Sequence, residues 1–151
     1  MFGGDVIGEG TYGCAVNPPF LCRGQARNER KEKKVGKITL YSDAKTELEI
    51  SKTLRKANLW KNYFVLTDPE QCAPIEKGRM EDWQACKITA EYKKKELLQV
   101  TSDFGGTALG SMDLRPDDFD FFHFMNHLLE AGALLALQGV IHYDLHRSNI
   151  L

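Results

Sequence analysis

The chain has 151 residues, 42% of them apolar, enough to build the core of one ordinary domain. Twenty lysines and arginines stand against 21 acidic residues, so no global field directs the chain to nucleic acid or an anionic membrane. Met1-Phe2-Gly3-Gly4-Asp5 lacks the basic start and apolar run of a signal peptide. The longest apolar stretch, near Leu128 to Leu137, is interrupted by Glu130 and Gly132 and falls short of a membrane span. A soluble, cytoplasmic protein is the expectation. Cys14, Cys22, Cys72 and Cys86 form no C-x-x-C pair and have no histidine at ligand spacing, so reduced thiols are expected.

In chain order, Ile7 to Val16 predicts a strand, a glycine turn and a returning strand, broken by Asn17-Pro18-Pro19. A polar loop runs to about Lys33; the basic clusters Arg27 to Lys37 and Lys93 to Lys95 are expected to be solvated. Val35 to Leu40 predicts a short strand. Ser42-Asp43 offers an N-cap for a helix over Ala44 to Lys56, with Leu48, Ile50 and Leu54 on its apolar face. Tyr63 to Leu66, Trp83 to Ala90 and Leu97 to Thr101 predict three further strands. Gly105-Gly106 marks a break. A long helix then begins around Asp117 to Asp120 and runs to Leu137, with Gln138-Gly139 closing it. The pattern is α+β, with a β-rich first part and a helical last third.

Three stretches carry chemistry. Gly8-Glu9-Gly10-Thr11-Tyr12-Gly13 fits G-x-G-x-x-G, whose bare backbone can approach phosphate oxygens. Dinucleotide-binding folds use the same letters, but there a helix follows, whereas Cys14-Ala15-Val16 and two prolines follow here. A hairpin lying over a nucleotide fits better. In Val35-Gly36-Lys37, period-2 alternation puts Val35 and Lys37 on one face, one to roof an adenine and one to reach phosphate. Such a lysine needs a carboxylate partner; Glu47 is the candidate and Glu49 its rival on the same helix. Finally, His142-Tyr143-Asp144-Leu145-His146-Arg147-Ser148-Asn149 sets an Asn five residues after an Asp, the spacing of H-R-D-L-x-x-x-N. Asp144 can orient and deprotonate an attacking hydroxyl, and the Asn149 carbonyl can bind a metal that neutralises phosphate charge. His142 is expected to support this loop from within. Asp103-Phe104-Gly105 spells a magnesium-binding tripeptide but precedes the loop, so it is given the role of a connector.

These motifs stand in the order of the eukaryotic-type protein kinase superfamily, which the chain resembles over nearly its whole length. It looks most like the serine/threonine protein kinases of large nucleocytoplasmic DNA viruses, through Gly10 to Cys14 with Pro18-Pro19 and Cys22, the short Lys37 to Glu47 interval, Tyr63-Phe64 with Cys72, and Gly105-Gly106 with Leu109. The resemblance implies a protein-kinase-like fold: an N-lobe over residues 1–100 with one regulatory-type helix, a hinge at 101–106, and a partial helical C-lobe over 107–151 that stops after the catalytic loop. It implies ATP and Mg²⁺ as cofactors, with Ile7, Gly8, Glu9, Gly10, Thr11, Tyr12, Gly13, Ala15, Val35 and Lys37 around the nucleotide. Backbone groups near Thr101 to Phe104, including Thr101 and Asp103, would grip adenine, with Val100 near the gatekeeper position. Lys37 with Glu47 and Asp144 would be catalytic, and Asn149 a metal ligand.

Several positions depart from the family pattern. Tyr143 replaces the arginine that reads an activation-loop phosphate, His146 replaces a lysine, and Ala15 stands where a valine caps adenine. The expected activity is phosphoryl transfer from ATP to Ser/Thr of a protein substrate, with the fragment inactive alone and in need of a missing C-lobe or a partner chain. The alternatives are an aminoglycoside- or choline-type small-molecule phosphotransferase, suggested by Asp144-Leu145-His146, and a non-catalytic nucleotide-binding module.

Overall fold

The computed structural model describes residues 4–23, 33–74, 83–115, 117 and 119–151. Most of the polar loop expected before Lys33 lies outside them. The chain divides into two units, Met1–Ser51 with Leu66–Phe104, and Lys52–Val65 with Gly105–Leu151.

The first unit is built on a five-stranded antiparallel sheet. Its strands are β1 (Asp5–Gly10), β2 (Gly13–Asn17), β3 (Lys34–Leu40), β4 (Gln71–Cys72) and β5 (Leu97–Asp103), in the spatial order β1-β2-β3-β5-β4. The β1–β2 hairpin closes at Gly10↔Gly13, and a register shift between Val6 and Gly8 leaves Ile7 unpaired in the ladder. Gly13 holds φ +137, and a Cβ there would run into the Ile38 carbonyl, so the turn requires glycine at this position.

Alternation sorts the core. Cys14 and Val16 of β2, Ile38 of β3 and Leu97 of β5 point to one face and pack with Phe20, Trp83, Cys86 and Ile88. Phe20 and Trp83 meet edge to face at 5.7 Å. Ile38 and Leu97 are essentially inaccessible, each stabilising the unit by about 1.5–3 kcal/mol through burial. Gln99, also buried, spends its amide on both backbone groups of Phe20, accepting from N at 2.9 Å and donating to O at 2.8 Å. A Cβ on Gly36 would strike that amide, which explains the glycine in mid-strand.

All four cysteines are paired, Cys14 with Cys86 and Cys22 with Cys72, at Cα separations of 5.8 and 5.5 Å. This corrects the expectation of reduced thiols. The partners are 72 and 50 residues apart in sequence, so no local spacing signalled them.

Helix α1 (Tyr41–Leu54) starts directly from β3, three residues ahead of the expected start at Ala44; Ser42 and Asp43 lie in its first turn. Its buried stripe is Ala44, Ser51 and Leu54, with Glu47 and Leu48 half-buried between, whereas Ile50 is 41% exposed. The expected apolar face was therefore misplaced at Ile50: one residue is a 100° rotation on a helix, and the small hydroxyl of Ser51 takes the inward position to receive Thr67 N–H at 3.2 Å.

Two expected strands are absent. Trp83 to Ala90 coils instead, with α2 at Ile88–Glu91 and Thr89 Oγ1 donating to the carbonyls of Trp83 and Cys86, both at 2.7 Å. Tyr63 to Leu66 is irregular; the N–H groups of Tyr63 and Phe64 return to the Trp60 carbonyl and close a 3₁₀ turn.

In the second unit α3 (Phe121–Leu137) dominates. Asp120 caps it by accepting from His123 N at 2.9 Å, and Gly139, at φ +69, ends it. Tyr63 stacks on His127 at 4.6 Å and donates to Glu130 Oε2 at 2.6 Å, a bond that holds its phenol above the ordinary tyrosine value. None of the α3 residues is buried. Among the described residues no helix is long and apolar enough to cross a membrane.

Candidate functional site

The register of the first unit gathers several of the expected nucleotide residues on one sheet face. Gly8 lies opposite Ala15, Ala15 opposite Lys37, and Lys37 opposite Val100. Directly opposed residues share a face, and Val35 joins them two residues along β3. From this face Lys37 Nζ reaches Glu47 Oε2 on α1 at 3.0 Å. Glu47, and not the exposed Glu49, is the partner because it shares the inward stripe with Ala44 and Ser51. Both side chains of the pair remain more than a third exposed (38% and 35%), so its contribution to stability is less than about 1 kcal/mol. Its effect is positional: it holds an ammonium over the sheet.

The glycine turn is tied by three contacts from two residues. Thr39 Oγ1 donates to the Tyr12 carbonyl at 2.6 Å. Glu9, on the face opposite Lys37, accepts from Lys87 N at 2.7 Å and pairs with Lys87 Nζ at 2.9 Å. The ammonium hydrogen bond, then the backbone one, hold the Glu9 carboxyl below the ordinary carboxylate value, and the same contact raises Lys87. Thr11 and Tyr12 are exposed at the tip, and Ile7 is 50% exposed. A Cβ would meet nothing within 4 Å at Gly10 and only Ala15 Cβ, at 3.9 Å, at Gly8. The sheet itself therefore makes no steric demand for glycine at these two positions.

Thr101 and Asp103 lie in β5, and their side chains go to the other face. Thr101 Oγ1 donates to Asp68 Oδ2 at 2.8 Å, and its carbonyl accepts from Asp68 N at 2.6 Å. Lys34 bridges Asp68 and Asp103 at 2.9 and 2.7 Å. Burial alone would lower the Lys34 ammonium, but hydrogen bonds to Asp103 and Asp68, reinforced by the carboxylate charges, outweigh it and leave Lys34 above its ordinary value. Asp68, Lys87 and Thr39 were not legible as members of this region, because each arrives through tertiary pairing and none belongs to a spaced motif.

In the second unit the loop at 142–149 is closed on itself. Asn149 N donates to the His146 carbonyl and Asn149 Nδ2 to the Asp144 carbonyl, both at 2.8 Å. Gly110 N and Leu109 N donate to the carbonyls of Arg147 and Ile150, fastening the loop to the 3₁₀ turn Leu109–Ser111. Ser148 N donates to His146 Nδ1 at 3.2 Å, which puts the neutral ring's proton on Nε2, 3.6 Å from Asp144 Oδ2. Asn149 Nδ2 is 3.1 Å from the same Nε2, but both nitrogens carry hydrogen in that tautomer, so the amide's bond is the one to Asp144 O. With its NH₂ so engaged, Asn149 keeps its carbonyl oxygen as the lone-pair donor. The Asp144 carboxylate is 75% exposed. His142 is exposed as well, contrary to the expected inward support.

Among the described residues no group of three or more His, Cys, Asp or Glu could hold a metal ion. No protein-family model matches the chain, and none of the curated proteins searched matches it.

Proposed function

We propose that the chain belongs to an ATP-dependent phosphotransferase, in which the first unit binds the nucleotide and the Asp144–Asn149 loop serves the acceptor hydroxyl, with Ser/Thr of a protein as the substrate class. The observation that carries this reading is the Lys37–Glu47 pair at 3.0 Å, set on the sheet face that also holds Gly8, Ala15 and Val35. The glycines at 8 and 10, which the sheet does not demand sterically, support it as well.

The residues fit Mg²⁺ and ATP in a particular way. Asn149 offers one neutral oxygen, too little for an all-protein cage but suited to an ion that arrives with phosphate oxygens and water. Mg·ATP would supply the transferable phosphoryl group and offset its charge. Lys37 would orient phosphate oxygens, and Asp144 would align the acceptor hydroxyl and accept its proton.

The test is Mg·ATP binding to the full chain by calorimetry. Lys37→Met should weaken it at least about tenfold, an ammonium–phosphate contact being a charge-assisted one. Absence of binding, or equal binding by the variant, would sink the reading. The position of His146 beside Asp144 favours one rival, a small-molecule phosphotransferase. Transfer to an aminoglycoside or choline, with none to protein, would select that rival.

A further inference from the structure

Glu9 and Cys14 face each other across the β1–β2 hairpin, on the rung next to the pair Gly10↔Gly13 that closes the turn. Both are held by two consecutive residues of another segment: Cys14 by the disulfide to Cys86, and Glu9 by the backbone N–H and the ammonium of Lys87. That segment is itself anchored, because Trp83, Cys86 and Ile88 lie in the core and Trp83 packs on Phe20. One strand of the glycine hairpin is thus held covalently and the other ionically, from the sheet face opposite Lys37.

We infer that residues 83–88 form a redox-controlled latch on the glycine hairpin, with the Cys14–Cys86 bridge fixing the turn and thereby setting nucleotide affinity. The nucleotide part of this inference rests on the function proposed above. Opening is a thiol–disulfide exchange with a small dithiol. The dithiol's two S–H groups become a disulfide, and the two electrons and two protons pass to the sulfurs of Cys14 and Cys86. Both cysteines are buried, at 1% and 0% exposure, so a reductant reaches them only when the segment lifts from the hairpin. The Glu9–Lys87 contact opposes that lifting, which couples the two halves of the latch. A disulfide that merely staples the fold would show no such coupling.

Three measurements on the full chain test this. On loss of the Cys14–Cys86 bridge alone, in the Cys14→Ala/Cys86→Ala variant, amide exchange at residues 9–14 should rise about tenfold or more beyond any rise in β3, as for a local opening. An unchanged hairpin, or a uniform rise across the sheet, would overturn the latch. Lys87→Gln should speed reduction of Cys14–Cys86 severalfold while leaving Cys22–Cys72 as it was; equal rates would overturn the coupling. Finally, Mg·ATP affinity should shift by about threefold or more between the oxidised chain and the Cys14→Ala/Cys86→Ala variant, if the hairpin's population of binding-competent states changes. Equal affinities with altered exchange would refute the control of nucleotide binding alone. No ATP binding in either state would refute the proposed function, while the exchange data would still decide the latch.

Discussion

The two units contain comparable amounts of apolar side chain and treat it in opposite ways. In the first, alternation along the strands sends Val16, Ile38 and Leu97 to one face, where Trp83 and Phe20 cover them and two disulfides span the long connections. In the second, α3 is apolar around most of its circumference, yet Phe122 is 80% exposed and Leu137 79%. A helix of that composition ordinarily has apolar neighbours on several sides. The contrast teaches that apolar content alone does not report a core; what matters is whether a second layer meets it.

Removing the bridges should affect this contrast most. Loops of 72 and 50 residues correspond to about 4 kcal/mol of stabilisation for each bridge on the chain-entropy account. Reduction should therefore unfold the first unit at much lower urea while leaving amide exchange in α3 as it was. Loss of protection in both units together would break the comparison.

Next in size are truncations. Ile38→Ala should cost about 2–4 kcal/mol in a urea titration, whereas Phe122→Ala should stay within about 0.5 kcal/mol. A large loss at Phe122 would mean that α3 is covered in solution.

Glycine replacements should differ even in sign. Gly13→Ala meets the Ile38 carbonyl at a positive φ and should destabilise by about 2 kcal/mol. Gly132→Ala has open space inside a helix and should stabilise by about 0.5–1 kcal/mol, read as a higher melting temperature.

The smallest effect concerns pH. The Glu9 carboxyl is lowered, so its contribution is present above the ordinary carboxylate value near 4.3 and is lost as pH falls through its depressed value. Lys87 is raised by Glu9 and to a lesser extent by Glu91, so its contribution is present below about 10.4 and is lost as pH rises through its elevated value. Hairpin protection measured against pH should be flat between these limits and fall at both ends. In Lys87→Gln the alkaline fall due to this pair should vanish.

Strands β1, β2, β3 and β5 were legible because alternation and a glycine turn are local signals, and α3 because its period and its Asp120 and Gly139 ends are local too. Glu47 was named as the candidate partner of Lys37, with Glu49 as its rival, and the fold brings Glu47 to 3.0 Å. The failures have a common cause. Tyr63 to Leu66 and Trp83 to Ala90 carry β-prone letters, yet their backbone groups are satisfied by turns. Cys86 is buried in the core, joined to Cys14. Ser51 displaced Ile50 from the inner face of α1 because Thr67 supplied a hydrogen-bond partner that no helical period records.

By itself, then, the sequence determined the glycine hairpin, the Lys37 strand, the long helix and the Asp144–Asn149 spacing, since each depends on residues a few positions apart. Only the tertiary structure decided which cysteines pair, that Lys87 grips Glu9, and that Thr101 and Asp103 turn to the face opposite Lys37. Those outcomes depend on strand order and register, which bring together residues 33 to 78 positions apart.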